Sequence, residues 1–505
     1  MAQAANKPDN KIKPTLFLID IRYPHQKAGI IILPLTIENN EDTLLHTETP
    51  LFTDLYQLTM AYGYWKLNRH QEEAAFELSF RHHPFNGHFA IAAGLQSVID
   101  FLAHWQFSES DLSYLATLTT RQQTRLFPDD FLDYLKNLRF NCHIDAAREG
   151  TLVFAQTPLL RIEGPLLQCQ LLESPLLNMI NFQTLIATKA AHICLAASGD
   201  EVIEFGLRRA QGPDGALSAT RAAFIGGCSA TSNTLAGKLY GIPVRGTHAH
   251  SWVTAFASEI DAFEAYASVM PHNGVFLVDT YHSLTGVENA ITVGKQLRAK
   301  GADLLAIRLD SGDLAAISIA ARKQLDEAGF TETKIMASNN LDEAAIRALK
   351  KQGAKINLWG VGTHLVTAFD RPALDGVYKM TALRAKSGEW QAKLKLSEQP
   401  IKISLPGRHQ VRRYVEHHTP LYDVIYDLDL GIAETSAAYQ DVLAPVFRAG
   451  KLVCAPTHLS HAQKQAADGL HAFLAKHGDH PYPITLEPRL AAQKAALVQK
   501  ALAGT

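Results

Sequence analysis

The chain has 505 residues, with 48 Lys and Arg against 50 Asp and Glu, a formal charge of −2, and 47% hydrophobic against 19% charged residues. That length is a prior for roughly three domains, and the apolar fraction sustains a large core and excludes wholesale disorder. The balanced charge leaves no cationic field for wrapping nucleic acid or docking on an anionic membrane, so neither is expected as a partner. Five cysteines stand singly with no CxxC pair, the usage of a reducing compartment. The longest apolar run near the start, over 29–35, is too short to span a bilayer and lacks the layout of a signal peptide. A cytoplasmic enzyme is the expectation.

Residues 1–47 read as an extension, polar at first, with one β-like run over 29–37 and no assigned chemistry. From Leu51 the pattern tightens. Thr53-Asp54 suits an N-cap before a helix over 55–65. A strand is predicted over 74–80, and helices over 94–101 and 111–118. Strands over 139–143 and 151–154 are expected to return to the same sheet. A long helix over 173–196 carries almost no charge, which predicts burial. These elements describe an N-terminal α+β domain over 48–155, completed by C-terminal segments.

The middle is more regular. Short apolar runs recur at 202–205, 242–244, 275–278, 304–309, 334–336 and 356–359, separated by helical patterns over 231–240, 251–268, 284–300, 314–327 and 342–351. Alternation at that spacing predicts βα units and a parallel sheet. Nearly every run ends in polar residues: Glu204 to Arg209, Gly246 to His250, Asp279-Thr280, Arg308 to Asp313, Ser338 to Asn340, and Gly360 to Thr363. Polar clusters at consecutive strand ends are what a barrel presents on its catalytic face, whereas a doubly wound sheet gathers them near one switch point. The expectation is an α/β barrel over 156–380 and a C-terminal region over 381–505 packing on both domains, ending in an amphipathic helix over 490–503.

Gly360-Val361-Gly362-Thr363 reads as a phosphate-binding turn or as an ordinary tight βα turn, with Arg371 within reach of the same anion. Alternation puts Arg308 and Asp310 on one strand face, where they suit a phosphorylated sugar or form a structural ion pair; Asp313 suits a helix cap. His248-Ala249-His250 has a zinc-ligand spacing if extended, and equally suits one catalytic and one supporting histidine. Phe205 with Arg208 can receive an aromatic acid by stacking and paired donors, although each is more often structural. Tyr56 and Asp54 say little alone.

In order, these motifs resemble the nicotinate phosphoribosyltransferases. Thr53 to Met60 resembles that family's N-terminal signature, Phe80-Arg81 to Pro84-Phe85 and Ala93 to Leu95 its next block, and the strand-end clusters follow from Glu204 to Thr363. The resemblance runs from about Leu51 to about Thr457. It implies a type II phosphoribosyltransferase fold, an irregular α/β barrel with an N-terminal α+β domain. The implied reaction joins nicotinate to 5-phosphoribosyl-1-diphosphate with Mg²⁺ and coupled ATP hydrolysis, in a homodimer. Carried over residue by residue, Tyr56 and Phe205 sandwich the pyridine ring while Arg208 and Thr247 contact nicotinate. Arg308, Asp310, Gly362 and Thr363 bind the phosphoribosyl group. Asp279 and Asp310 organise Mg²⁺ and the ribose hydroxyls. The GTxAHS pattern makes His250 the transiently phosphorylated catalytic histidine and gives His248 no role. Nicotinamide-using relatives place an Asp after a strand similar to 223–227; here Gly226 to Ala230 contains no carboxylate, which favours the acid.

Three other readings remain open. One is a nicotinamide-using phosphoribosyltransferase. The second is a metal-dependent barrel hydrolase using His248 and His250 with His272, His282 and His364. The third is a barrel that senses pyridine metabolites without turnover.

Overall fold

Six short strands pair in parallel in the spatial order Ala230–Thr231, Glu201–Glu204, Leu358–Val361, Lys334–Ala337, Leu304–Leu309, Gly274–Leu277. This is a computed structural model, which describes residues 49–503 except 386 and 456. The extension over 1–47, with its expected strand over 29–37, lies outside the described residues. The parallel strands are covered on both faces, so they read as nearly unbroken apolar runs. The two end strands do not pair with each other, and the sheet is a curled half-barrel. Four elements follow the sequence reading closely: the helices Ser283–Ala299, Leu314–Glu327 and Glu343–Lys351, and the strand Leu304–Leu309.

Two expectations here are corrected. The run over 242–244 makes one isolated parallel bridge, Val244 to Thr231, and no strand. Gly241 sits at φ +69 and Pro243 has no N–H to donate, so the ladder cannot extend. The single helix expected over 251–268 is two, His250–Thr254 and Glu259–Val269. The second starts afresh because the Ser258 hydroxyl oxygen accepts the Asp261 N–H at 3.2 Å.

A seven-stranded sheet draws on both ends of the described chain. Its order is Trp390–Ala392, Gly376–Arg384, Glu73–Phe80, Leu160–Pro165, His143–Ala147, Leu443–Arg448, Lys451–Leu452. Strands from 376–392 and 443–452 thus stand in one sheet with strands from 73–165. Because Leu160–Pro165 pairs with both Glu73–Phe80 and His143–Ala147, this sheet continues across the expected 155/156 boundary. The strand expected over 139–143 begins only at His143, since the Asn141 N–H is taken by the Gln168 side chain instead of a ladder partner. The strand expected over 151–154 is Leu152–Val153. It pairs with Ala90–Ile91 in a separate two-stranded sheet, not in the large one.

The helix Glu173–Ala197 is buried along most of its length and lies against both the large sheet and the half-barrel. Gly226 ends the helix Gly212–Ile225 against it; a Cβ there would collide with the Ala187 carbonyl. A four-stranded sheet, ordered Tyr439–Asp441, His409–Glu416, Thr419–Asp427, Ile484–Leu486, and the helix Leu459–His477 complete the C-terminal region. Gln463 donates to the carbonyls of Phe224 and Cys228 at 2.8 and 2.9 Å, tying that helix to the barrel side. The C-terminal helix is Pro488–Ala503. Among the described residues no helix is long and apolar enough to cross a membrane.

Candidate active site

The ends of three neighbouring strands meet in one hydrogen-bonded network. On Leu304–Leu309, Arg308 projects with the residue two further on, as alternation requires. Its Nε donates to Ser338 Oγ at 2.9 Å and its terminal nitrogen to Asp310 Oδ1 at 3.1 Å. The Ser338 hydroxyl also donates to Asp310. The Arg308 and Asp310 side chains remain partly open, 14% and 28% exposed.

Asp310 also joins a second cluster through its backbone. Its N–H donates to Asp279 Oδ2 at 2.9 Å, the Ser311 hydroxyl donates to the same oxygen at 2.6 Å, and His250 Nε2 lies 3.2 Å from Asp279 Oδ1. The Asp279 side chain is wholly buried while the His250 ring is 43% exposed. A carboxylate with both oxygens engaged fixes the imidazole it touches and keeps the proton on Nε2. Nδ1 is then the nitrogen left with a lone pair.

His248 does not share that face. Ala249 itself is extended, at φ −105 and ψ 170, but His250 opens the helix His250–Thr254, so the strand alternation that would put both rings on one face stops there. The His248 ring sinks among Phe263, Tyr266 and Phe276, with centroids 5.1–6.2 Å away, and burial pushes its pKa down to about 4. His282 accepts the Thr285 N–H and caps the following helix, while His364 packs on Phe369 at 4.6 Å. Among the described residues no group of three or more His, Cys, Asp or Glu gathers as a metal site. The spacing that suggested zinc depended on an extended chain, so the metal-hydrolase reading loses its premise.

Phe205 lies across the neighbouring strand. Its N–H donates to the Val361 carbonyl at 2.8 Å, its ring packs with Ile203, Ala230, Met336 and Leu358, and Arg308 lies 5.7 Å from the ring centroid. The ring comes so close to Gly360 that a Cβ there would stand 2.7 Å from it. Buried Glu204 holds this turn, accepting the Gly206 N–H and the hydroxyls of Thr220 and Thr231, the last two at 2.9 and 2.6 Å. Arg208 is exposed in the single turn Leu207–Arg209. Thr247 Oγ1 donates to the Val275 carbonyl at 2.5 Å, leaving the oxygen able only to accept. Gly362 precedes the short helix Thr363–Val366. Asp313 caps Leu314–Glu327 as predicted, through the Ala316 N–H at 3.0 Å.

Other residues fall outside this network. Tyr56 is 49% exposed on the helix Leu55–Lys66, beside Glu173, Gln57, Ser174 and Asp54, so one chain does not bring it against Phe205. Asp54 sits at the N-cap but accepts the Ser174 hydroxyl at 2.5 Å and makes no capping bond. Arg371 donates to Asp375 at 2.8 Å. The segment over 223–227 is not a strand; its first residues finish the helix Gly212–Ile225. The strand is Ala230–Thr231, followed by Ser232 and buried Asn233, again without a carboxylate.

Sequence reasoning gave no role to Ser311, Ser338 or Glu204. Their signal was present, since all three are polar residues at strand ends.

Two family models cover most of the described chain. The nicotinate phosphoribosyltransferase (NAPRTase) N-terminal domain matches residues 51–181, and the nicotinate phosphoribosyltransferase (NAPRTase) family matches 201–401. The nicotinate phosphoribosyltransferase of Bacillus subtilis is 48% identical over 383 residues, 75% of this chain and 76% of its own length. That of Dictyostelium discoideum is 41% identical over 432 residues, 75% and 71% of the two chains. The crystal structure of human nicotinic acid phosphoribosyltransferase superposes with a TM-score of 0.75 at 30% identity, covering 88% of this chain and 99% of that one. Nicotinate-nucleotide pyrophosphorylase from Pyrococcus furiosus, with a TM-score of 0.65 at 22% identity over 84% and 95%, shares the fold.

Proposed function

The chain belongs to the nicotinate phosphoribosyltransferase family, and from that premise we propose how its residues carry the reaction. The enzyme joins nicotinate to 5-phosphoribosyl-1-diphosphate, giving nicotinate mononucleotide and diphosphate, a step of NAD salvage. The observation that carries the site assignment is the continuous network from Arg308 through Asp310 and Asp279 to His250.

Diphosphate must leave while positive charge builds on the ribose. Arg308 offers fixed donors to the phosphoribosyl diphosphate, with Gly362 and Thr363 shaping the adjoining turn. Asp310 faces the same space and is placed to accept from ribose hydroxyls. Asp310 would also hold Mg²⁺: only its Oδ1 is bonded within the chain, whereas Asp279 is enclosed with both oxygens engaged and fits an ion less well. The ion supplies charge neutralisation to the diphosphate. The Phe205 ring aligns the pyridine nitrogen by stacking, and no strong base is needed because that nitrogen is already nucleophilic. Arg208 pairs with the nicotinate carboxylate and the Thr247 oxygen lies in the same loop region. Tyr56 completes the sandwich from the other protomer of a homodimer, which accounts for its exposure in one chain.

His250 accepts a phosphoryl group from ATP. With the proton held on Nε2 by Asp279, Nδ1 attacks the terminal phosphorus, the P–N bond forms, and ADP leaves. The added negative charge beside Arg308 and Asp310 alters the site so that diphosphate release is harder to reverse. Coupling of this kind belongs to a cytoplasmic, ATP-dependent, ligase-type enzyme.

Acceptor choice is tested by incubating the protein with phosphoribosyl diphosphate, Mg²⁺ and ATP, with nicotinate in one sample and nicotinamide in another. Mononucleotides are then quantified by chromatography. Product with nicotinate alone is expected, because Arg208 attracts a carboxylate and Ser232-Asn233 adds no opposing charge. Product mainly with nicotinamide would overturn the acceptor assignment and leave the fold intact.

A further inference from the structure

The buried helix Glu173–Ala197 carries one lysine, and its ammonium reaches out of the helix to two loops. Lys189 Nζ lies 2.7 Å from Glu343 Oε2 and 2.8 Å from Asp370 Oδ1, with the Phe85 ring centroid 4.9 Å away and its side chain 2% exposed. The strands preceding those loops, Lys334–Ala337 and Leu358–Val361, are parallel neighbours. Glu343 opens the helix that follows Ser338, the residue holding Arg308 and Asp310. Asp370 follows the turn of Gly362 and Thr363. A second link crosses the same gap, His364 Nδ1 to Asp342 Oδ2 at 3.8 Å.

Burying an ammonium costs free energy that its ion pairs only partly offset, and a well-packed apolar side chain is often at least as stabilising. What the pair supplies is a defined arrangement. One cation between two carboxylates sets the separation of the segments that carry them. We propose that Lys189 is a positioning residue for the phosphoribosyl diphosphate end of the site, holding the Ser338 loop and the Gly362-Thr363 turn in register. This rests on the functional reading above.

The test is steady-state kinetics on the full chain, varying phosphoribosyl diphosphate and nicotinate separately. Lys189→Met is expected to raise KM for phosphoribosyl diphosphate about tenfold or more and to move KM for nicotinate less than about twofold. Lys189→Arg, which can still donate to both acids, recovers part of the loss. Lys189→Met combined with Glu343→Gln and Asp370→Asn removes the unpaired charges, so it regains melting temperature while KM for phosphoribosyl diphosphate stays high. Where Lys189→Met fails to fold, Asp370→Asn decides. Its carboxylate is 52% exposed, so the variant keeps its melting temperature, and KM is expected to rise a few-fold. Unchanged KM for phosphoribosyl diphosphate in a folded Lys189→Met or Asp370→Asn variant overturns the proposal, as does an equal rise for both substrates. If the unaltered protein produces no nicotinate mononucleotide, the functional reading fails instead. Calorimetric binding of phosphoribosyl diphosphate to it and to Asp370→Asn then decides the positioning role on its own.

Discussion

His248 and His250 stand two positions apart in unlike surroundings, and the roles proposed for them follow from that difference. His250 is half open and held by an enclosed carboxylate, while His248 is packed among aromatic rings with its pKa pushed down to about 4 by burial. Replacing His250 by Ala is expected to abolish stimulation by ATP and to leave slower, ATP-independent synthesis, read as mononucleotide formed with and without ATP. Asp279→Asn tests the orienting carboxylate. Losing the charge that holds the proton on Nε2 is expected to weaken ATP stimulation about tenfold or more while the fold persists. His248→Phe removes the ring nitrogen that accepts the buried Leu277 N–H at 3.4 Å, so stability falls by about 1–3 kcal/mol while stimulation is retained. Stimulation lost in His248→Phe and kept in His250→Ala would exchange the two roles. The residue types alone left zinc open, because nothing in the HxH spacing reveals that a helix begins at His250. The family pattern chose His250, and the two rings differ in setting: one is half open on Asp279, the other buried among aromatic rings.

At the level of elements, the acceptor pocket proposed at Phe205 depends on a crossing between two strands. Phe205 hydrogen-bonds Val361, and its ring occupies the space that a side chain at 360 would fill. Gly360→Ala forces the ring to move, at a cost of about 1–3 kcal/mol for overpacking. Because the stacked acceptor follows the ring, KM for nicotinate is expected to rise about tenfold while KM for phosphoribosyl diphosphate changes less. Equal changes for both substrates would detach Phe205 from acceptor binding. The sequence pointed to a glycine turn for a phosphate but gave no sign that the first glycine makes room for an aromatic ring. Contacts between strands far apart in the chain leave no local trace. The likeness to nicotinamide-using relatives also misplaced a strand over 223–227, since the run Ala222-Ala223-Phe224-Ile225 is equally apolar as the end of a buried helix. Periodicity cannot separate those cases in so short a run.

Across the whole molecule, five of the six parallel strands were legible because each is a local apolar run, and the two-residue strand Ala230–Thr231 was not, while the large antiparallel sheet was legible only in outline. Its neighbours Glu73–Phe80 and Gly376–Arg384 are some 300 residues apart in sequence, and nothing in either strand specifies the other. What ties the ends together is buried polar pairing. Glu77 accepts the His409 backbone N–H and contacts its ring, each at 2.7 Å. Burial opposes a charged His409, but Glu77 outweighs it and raises the pKa, so this contribution is complete below the unfolded value and is lost as pH rises through the folded one. Four other histidines act in the opposite sense, and burial lowers His70 among them. Burial lowers His83, His192 and His248 from 6.5 to about 4. Their contribution is complete above pH 6.5 and falls away toward pH 4, because the unfolded chain takes up protons that the folded chain refuses. Each such group costs up to about 2 kcal/mol by pH 5. With four groups against one, the urea midpoint is expected to fall between pH 7 and pH 5. The fall should be smaller in His248→Phe, which has one fewer ring to protonate on unfolding. A midpoint that holds steady across that range in the unaltered protein would mean that the buried rings are reached by solvent, and the aromatic packing around His248 would then be looser than its contacts require.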